Sequence, residues 1–159
     1  MANISLKLLI KISLLFCLAL CIACDSDSET PPQKEIPIET ELQWQLSAII
    51  ENGEKLATPG NYMSAYLIFE DNKKFEGRVG ANQIKGTFKI NPSTGKISME
   101  YSMTQVASLE PNVMEFEEMY MKLFHKITSY IYTDLDNDLK LYYGDNSYLQ
   151  YQSKKVEIK

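Results

Sequence analysis

The chain has 159 residues, 45% of them hydrophobic, and a net charge of −5 at neutral pH. That length fits one domain with a removable segment, and the apolar content is ordinary for a globular core. The acidic balance and a single arginine, Arg78, argue against nucleic acid as a partner, because phosphate binding requires a clustered positive face.

The first two dozen residues read as an export signal. Lys7 and Lys11 supply positive charge ahead of Ile12 to Ile22, an apolar run about half as long as a membrane-spanning helix. The run ends in Leu20-Cys21-Ile22-Ala23-Cys24, which is similar to the bacterial lipobox. That reading cuts after Ala23 and makes Cys24 the lipid acceptor, although Cys21 stands where leucine is usual. The alternative is an ordinary signal peptide cut near Ala23. Asp25 to Pro32 is acidic, small and proline-bearing, and it has nothing to bury. Residues 24–38 are therefore expected to be a disordered tether, with the folded domain at 39–159. Each buried acyl methylene contributes about 0.8 kcal/mol, so two or three chains would hold the protein on a membrane. Acidic residues after the acceptor resemble the surface-export signal of Bacteroidota lipoproteins. In other diderm bacteria, aspartate beside the cysteine implies inner-membrane retention. The outer membrane, facing outward, is the expectation carried forward, with the periplasmic face as the alternative. Cys17, Cys21 and Cys24 are the only cysteines, so the mature domain has no internal disulfide. Loss of Lys7 and Lys11 takes its charge from −5 to −7.

Leu42, Trp44 and Leu46 alternate with polar residues and lead into Ala48-Ile49-Ile50, predicting a strand with one buried face. Asn52-Gly53 predicts a tight turn. Lys55 to Ala65 is mixed, and Pro59-Gly60 marks a loop. The central stretch, Tyr66 to Ile90, reads as a bent meander. Tyr66 to Phe69 and Phe75 to Val79 form strands around an Asp71-Asn72 turn, and Gly80-Ala81-Asn82 is a break. Ile84, Phe88 and Ile90 then recur on even positions. Gly77, Gly80 and Gly86 mark bends or close backbone approaches. Asn91 to Gly95 is a turn, and Lys96 to Thr104 alternates as a strand. A helix is predicted over about 112–127. Asn112 is its cap, Glu115 reaches back to it, and Phe116, Met119, Tyr120, Leu123, Phe124 and Ile127 form an apolar stripe. Glu115, Glu117 and Glu118 early and Lys122 and Lys126 late suit the helix dipole. Packing of the stripe on the sheet is preferred over a partner-binding face. Strands are expected at 128–135, 139–143 and 148–152, with Asp136-Asn137-Asp138 and Gly144-Asp145-Asn146 as turns.

Phe69 through Ile90 resembles the core motif of the META/HslJ-like domain family. That motif is an apolar strand, a glycine-containing strand, Gly-Cys-Asn, then Gly-x-Tyr/Phe. Gly80, Ala81 and Asn82, followed by Gly86-Thr87-Phe88, match it here. Trp44-Gln45-Leu46 resembles the Trp-x-Leu that opens these domains. Glu118, Tyr130 and Leu139-Lys140-Leu141 stand for the family's helix glutamate, tyrosine and Leu-x-Leu. The resemblance spans Leu42 to Tyr151. In the family, a cysteine in Thr-x-x-x-Cys pairs with the one in Gly-Cys-Asn. Ser108 and Ala81 occupy both positions here, so the resemblance implies a domain held without that bridge. Such a bridge contributes typically about 2–4 kcal/mol. The expected fold is mainly β: a strongly curved antiparallel sheet, or partly closed barrel, with one packed helix. Trp44, Gly80, Asn82 and Gly86 are its expected structural residues.

Chemistry is sparse. His125 is the one histidine, late in the helix, and no Gly-x-Ser-x-Gly elbow occurs. Zinc ligands are lacking. Asp134, Asp136 and Asp138 alternate as in a calcium loop, but Leu139 stands in the glycine place and Asp145 in the glutamate place. No carboxylate pair stands out. Tyrosines gather late, at Tyr130, Tyr132, Tyr142, Tyr143, Tyr148 and Tyr151, as strands favour. An exposed row of them would suit glycan or peptide. The expectation is a non-enzymatic envelope protein with no metal and no cofactor, held to the membrane through acyl chains on Cys24. Its partner would be an envelope protein or a glycan. The alternatives are a carrier of an apolar ligand between helix and sheet, and a hydrolase with two carboxylates in a cleft.

Overall fold

Strand parity organises this domain, and one extra residue resets it. In strand β1 (Leu42–Glu51) the side chains of Leu42, Trp44 and Leu46 are buried and those between them are not. Ser47 is then inserted as a bulge against the last strand, β9 (Ser147–Lys155), so that Leu46 faces Tyr151 while Ile49 faces Leu149. A one-residue bulge exchanges the two faces of a strand. That is why the alternation gives way to Ala48-Ile49.

The computed structural model describes residues 33–38, 42–57 and 64–155. The export signal, Cys24 and most of the expected tether lie outside them, as does Pro59-Gly60. Among the described residues the other strands are β2 (Glu54–Ala57), β3 (Ala65–Phe69), β4 (Lys74–Val79), β5 (Asn82–Asn91), β6 (Lys96–Met103), β7 (Ser129–Thr133) and β8 (Asp138–Gly144). The helix α1 (Pro111–Phe124) stands between β6 and β7. All pairings are antiparallel. The order is β2-β1-β3-β4-β5-β6-β7-β8-β9, and β9 pairs again with β1, so the hydrogen bonds return on themselves. The expected curved antiparallel sheet with one helix is therefore what forms. Its thinnest junction is β6 to β7, where Lys96↔Ser129 is the one register pair.

Burial drives this arrangement. Trp44, Leu67, Ile84, Leu139, Leu149 and Tyr151 are fully enclosed, and each contributes roughly 2 kcal/mol. The apolar stripe of α1 packs on the sheet, as expected. Phe124 lies against Phe75 and Tyr101, with ring centres 6.1 and 5.3 Å apart. Tyr120 and Tyr151 share a hydrogen bond of 2.6 Å. Gly86 fills the register between Phe75 and Tyr101. A β-carbon there would stand 2.0 Å from the Glu100 carbonyl oxygen, the close backbone approach that a strand glycine implies.

Several expectations need correction. The helix starts at Pro111 and ends at Phe124, not at 112 and 127. Asn112 does not cap it. Glu110 is the N-cap and makes no side-chain cap bond, while Pro111 starts the first turn with its φ already helical. No acid lies in that first turn, Lys122 is in the last, and Lys126 is beyond it. The mixed segment after Asn52-Gly53 forms the short strand β2, whose residues are mostly exposed and so carry no apolar pattern. Asn82 is not part of the break, because it opens β5. Leu135 belongs to a turn and is 94% exposed, whereas Asp138 opens β8 and is buried. The tether also ends earlier than 38. Ile36 is 1% exposed within the core, and the Gln33 amide donates to the Pro92 carbonyl at 2.7 Å. Lys34 pairs with Asp134. Ile36-Pro37-Ile38 is apolar enough to pack, and the acidic composition around it hides this.

Candidate functional site

Gly80 turns the chain between β4 and β5 at a φ of +54°, where its amide donates to the Ser64 carbonyl at 2.9 Å. A β-carbon on it would lie 2.3 Å from Oε1 of Glu117. The turn therefore needs glycine twice, for the left-handed backbone and for the carboxylate beside it. The Ala81 amide donates to that Oε1 at 2.6 Å, and Asn82 Nδ2 donates to Oε2 at 3.0 Å. Both oxygens of a glutamate that is 8% exposed are thus held by donors. A buried carboxylate requires this kind of satisfaction.

Asn82 uses all of its hydrogen-bonding capacity. Nδ2 donates to Glu117 and also to the Val106 carbonyl at 3.1 Å. Oδ1 accepts from the Val106 amide at 2.8 Å and from Thr104 Oγ1 at 3.1 Å. Thr104 Oγ1 in turn accepts from the Gln83 amide at 2.9 Å. One side chain therefore clips α1, the head of β5 and the irregular segment 104–108 together. Ala81 and Ser108, where the family has cysteines, have other partners. Ala81 gives its amide to Glu117, and Ser108 Oγ accepts from the Glu110 amide at 3.1 Å.

Above this clip the segment 104–108 and α1 form a cleft of about 510 Å³. Met103, Val106, Met114 and Met121 are its main apolar lining, and Glu115, Glu117 and Glu118 its acidic one. Val106 is 53% exposed and Met114 49%. A second cleft, of about 770 Å³, lies at the β6–β7 junction and is lined by Lys89, Lys96, Ile97 and Ile127 among others. Neither is lined by Met119 or Leu123, the residues an interior carrier site would use. Leu123 is 6% exposed within the core.

The other expected residues have mainly structural settings. Trp44 is fully buried with its ring edge-on to Tyr132, centres 5.7 Å apart. Among Trp44, Gly80, Asn82 and Gly86, only Gly80 and Asn82 meet at one place. His125 caps the end of α1 beside Tyr101. The three aspartates do not converge. Asp134 pairs with Lys34, and Asp138 turns inward to accept from Gln150 at 2.9 Å. Among the described residues no three of His, Cys, Asp and Glu gather in a metal-binding group. The tyrosines form no exposed row, since Tyr130 and Tyr151 are core residues and Tyr142, Tyr143 and Tyr148 are half-buried. Burial raises the Tyr143 phenol to about 12, helped by the Glu51 charge. Its hydroxyl donates to the Ile50 carbonyl at 2.8 Å.

In sequence Glu117 stands only as one of three charges suited to the helix dipole, and its buried role is missed; Glu118, which stands for the family's helix glutamate, is exposed. A signal for Glu117 existed. Val113, Glu117, Tyr120 and Phe124 are spaced four, three and four, so an acid stands inside the apolar stripe. The acids are also not all on solvated turns, because three glutamates reach the cleft. Glu117 is fully engaged by its donors, however, and Glu115 and Glu118 lie in water. A general acid of the glycosidase type needs an apolar enclosure instead.

The family model of the META domain matches residues 38–156. Two solved structures are similar. One is the NMR structure of a protein from Burkholderia xenovorans, 16% identical, with a TM-score of 0.60; the match covers 78% of this chain and 96% of that one. The other is the crystal structure of a DUF4847 family protein from Bacteroides vulgatus ATCC 8482, 13% identical, with a TM-score of 0.55; it covers 74% of this chain and 96% of that one. At such identities the likeness is one of fold. No curated protein matches the chain in sequence.

Proposed function

This chain belongs to the META domain family, and we propose on that footing that it is a non-enzymatic binding module of the bacterial cell envelope. In this reading it is moored by acyl chains on Cys24 to the outer membrane, facing outward. It engages its partner through the methionine-lined cleft, not through its interior. The supporting observation is where apolar surface remains. The interior is filled by Trp44, Tyr120, Phe124 and their neighbours, while Met103, Val106 and Met114 stay exposed together. Exposed apolar groups that cluster mark interaction surfaces.

Two experiments test this. A photo-cross-linking residue at Met114, in intact cells, should give a discrete adduct that the same residue at Leu135 does not. Equal smears at both sites, or none, would sink the cleft as the working surface. Cys24→Ala should release the protein from membranes. Continued membrane association, with no labelled palmitate entering the parent protein, would remove the anchor.

A further inference from the structure

We propose that the cleft receives a cationic amphipathic peptide segment. Its apolar face would lie on Met103, Val106, Met114 and Met121, and its Lys or Arg side chains would reach Glu115 and Glu118. This rests on the reading of the cleft as a binding surface and adds the class of ligand.

The apolar surface is concentrated here. Among the described residues seven large hydrophobic side chains are exposed, and four of them, Met103, Val106, Leu109 and Met114, fall within twelve residues of chain. The other three, Leu56, Ile131 and Leu135, do not line the cleft. Three methionines among the lining residues make the surface adaptable, because an unbranched polarizable thioether fits many apolar shapes. Such a surface suits a segment whose exact side chains vary.

Charge selects the class. The lining includes Glu115, Glu117 and Glu118 and no lysine or arginine. Both Glu117 oxygens are already occupied by donors within the fold, so Glu115 and Glu118 are the carboxylates open to a ligand. An anionic amphiphile, such as a fatty acid or an acidic lipid headgroup, would place like charge on like. A polyamine would meet the glutamates but leave the methionines wet. A peptide with one apolar and one basic face satisfies both.

The wall is also preorganised. Asn82 fixes both the amide and the carbonyl of Val106. The segment 104–108 is thereby set before a ligand arrives, which lowers the ordering cost of binding. On this account the Gly80–Asn82 motif has a use beyond folding, as the clip that holds one side of the cleft.

The test uses the full chain in phosphatidylcholine nanodiscs, with empty nanodiscs as the blank. The probe is a dye-labelled leucine–lysine peptide of about fourteen residues, about four helical turns with one apolar face. Fluorescence anisotropy should show saturable binding that weakens as salt rises. The double variant Glu115→Lys/Glu118→Lys should weaken it about tenfold, and Met114→Asn, which removes apolar surface without adding charge, by a similar factor. Circular dichroism should show both variants folded, since all three positions are exposed. Equal binding of a glutamate-for-lysine peptide, or of a scrambled peptide lacking the apolar face, would overturn the proposal. So would unchanged binding by both variants. Self-association of the chain that Met114→Asn abolishes would show a second copy as the occupant, and would overturn it too. A cellular adduct at Met114 without peptide binding would sink this ligand class and leave the binding module standing. Loss of both would sink the two together.

Discussion

The Glu117 carboxylate and the Asn82 amide meet at 3.0 Å, one from the second turn of α1 and one from the first residue of β5. Both are buried, at 8% and 4% exposure. Each needs the other, since truncating one leaves a polar group enclosed without a partner. Asn82→Ala is expected to cost roughly 3 kcal/mol, because it orphans the Val106 amide and carbonyl as well as half the carboxylate. Glu117→Ala should cost a similar amount, whereas Glu118→Ala should stay within about 0.5 kcal/mol. Urea midpoints of the three variants decide which glutamate is structural. Equal losses at 117 and 118 would refute the assignment.

Gly86 has no room for a side chain. A β-carbon would press on the Glu100 carbonyl oxygen at 2.0 Å and on the Phe75 ring at 2.8 Å. The nearer obstacle is backbone in the paired strand β6, so it cannot swing aside. Gly86→Ala is expected to cost about 3 kcal/mol or more, through distortion of the β5–β6 ladder. Thermal unfolding followed by circular dichroism reads this, and a melting point unchanged from the parent would contradict it.

These residues show where the sequence was legible. Parity was readable wherever one face is buried without interruption. In β4, Phe75 and Val79 face the core as their spacing requires, and so do Leu139 and Leu141 in β8. It held in β6 too, where Ile97, Met99 and Tyr101 are more buried than the residues between them, and it failed at Ser47, where a bulge resets the faces. The helix stripe was legible, but its start was not. A proline at the first position and a capping pair are competing signals, and here the proline decides. The candidate site was half legible. Gly80 and Asn82 lie two residues apart in a short motif. Thr104, Val106 and Glu117 reach them only through tertiary packing, and no local pattern announces that. Cys24 lies outside the described residues, so the anchor rests on the sequence.

The buried pair Tyr120–Tyr151 predicts a loss of stability in base. Burial raises both phenols above their ordinary value of 10, Tyr151 further through its bonded neighbour. In the unfolded chain they ionise near 10. Above that pH the unfolded state therefore binds fewer protons than the fold, and stability falls as pH rises. The contribution is complete below about pH 10 and is lost progressively above it. Urea midpoints should be level from about pH 8 to 9 and drop beyond 10. The double variant Tyr120→Phe/Tyr151→Phe should flatten that drop. Tyr151→Phe alone should cost roughly 1–2 kcal/mol at neutral pH, by leaving the Tyr120 hydroxyl enclosed and unpaired. An identical pH slope in parent and double variant would show that other groups set it.

Ile36 extends the folded body six residues ahead of β1 in sequence. Its side chain is 1% exposed and belongs to the same apolar cluster as Trp44 and Tyr151. Gln33 and Lys34 fasten the chain just before it, to Pro92 and Asp134. Truncating a fully buried isoleucine removes both its transfer energy and the packing around it. Ile36→Ala should therefore cost about 2–4 kcal/mol. Lys34→Ala breaks only an exposed ion pair and should cost less than about 1 kcal/mol. Denaturant unfolding compares them directly. If Ile36→Ala is as mild as Lys34→Ala, the segment is a tether after all, and the domain begins at β1.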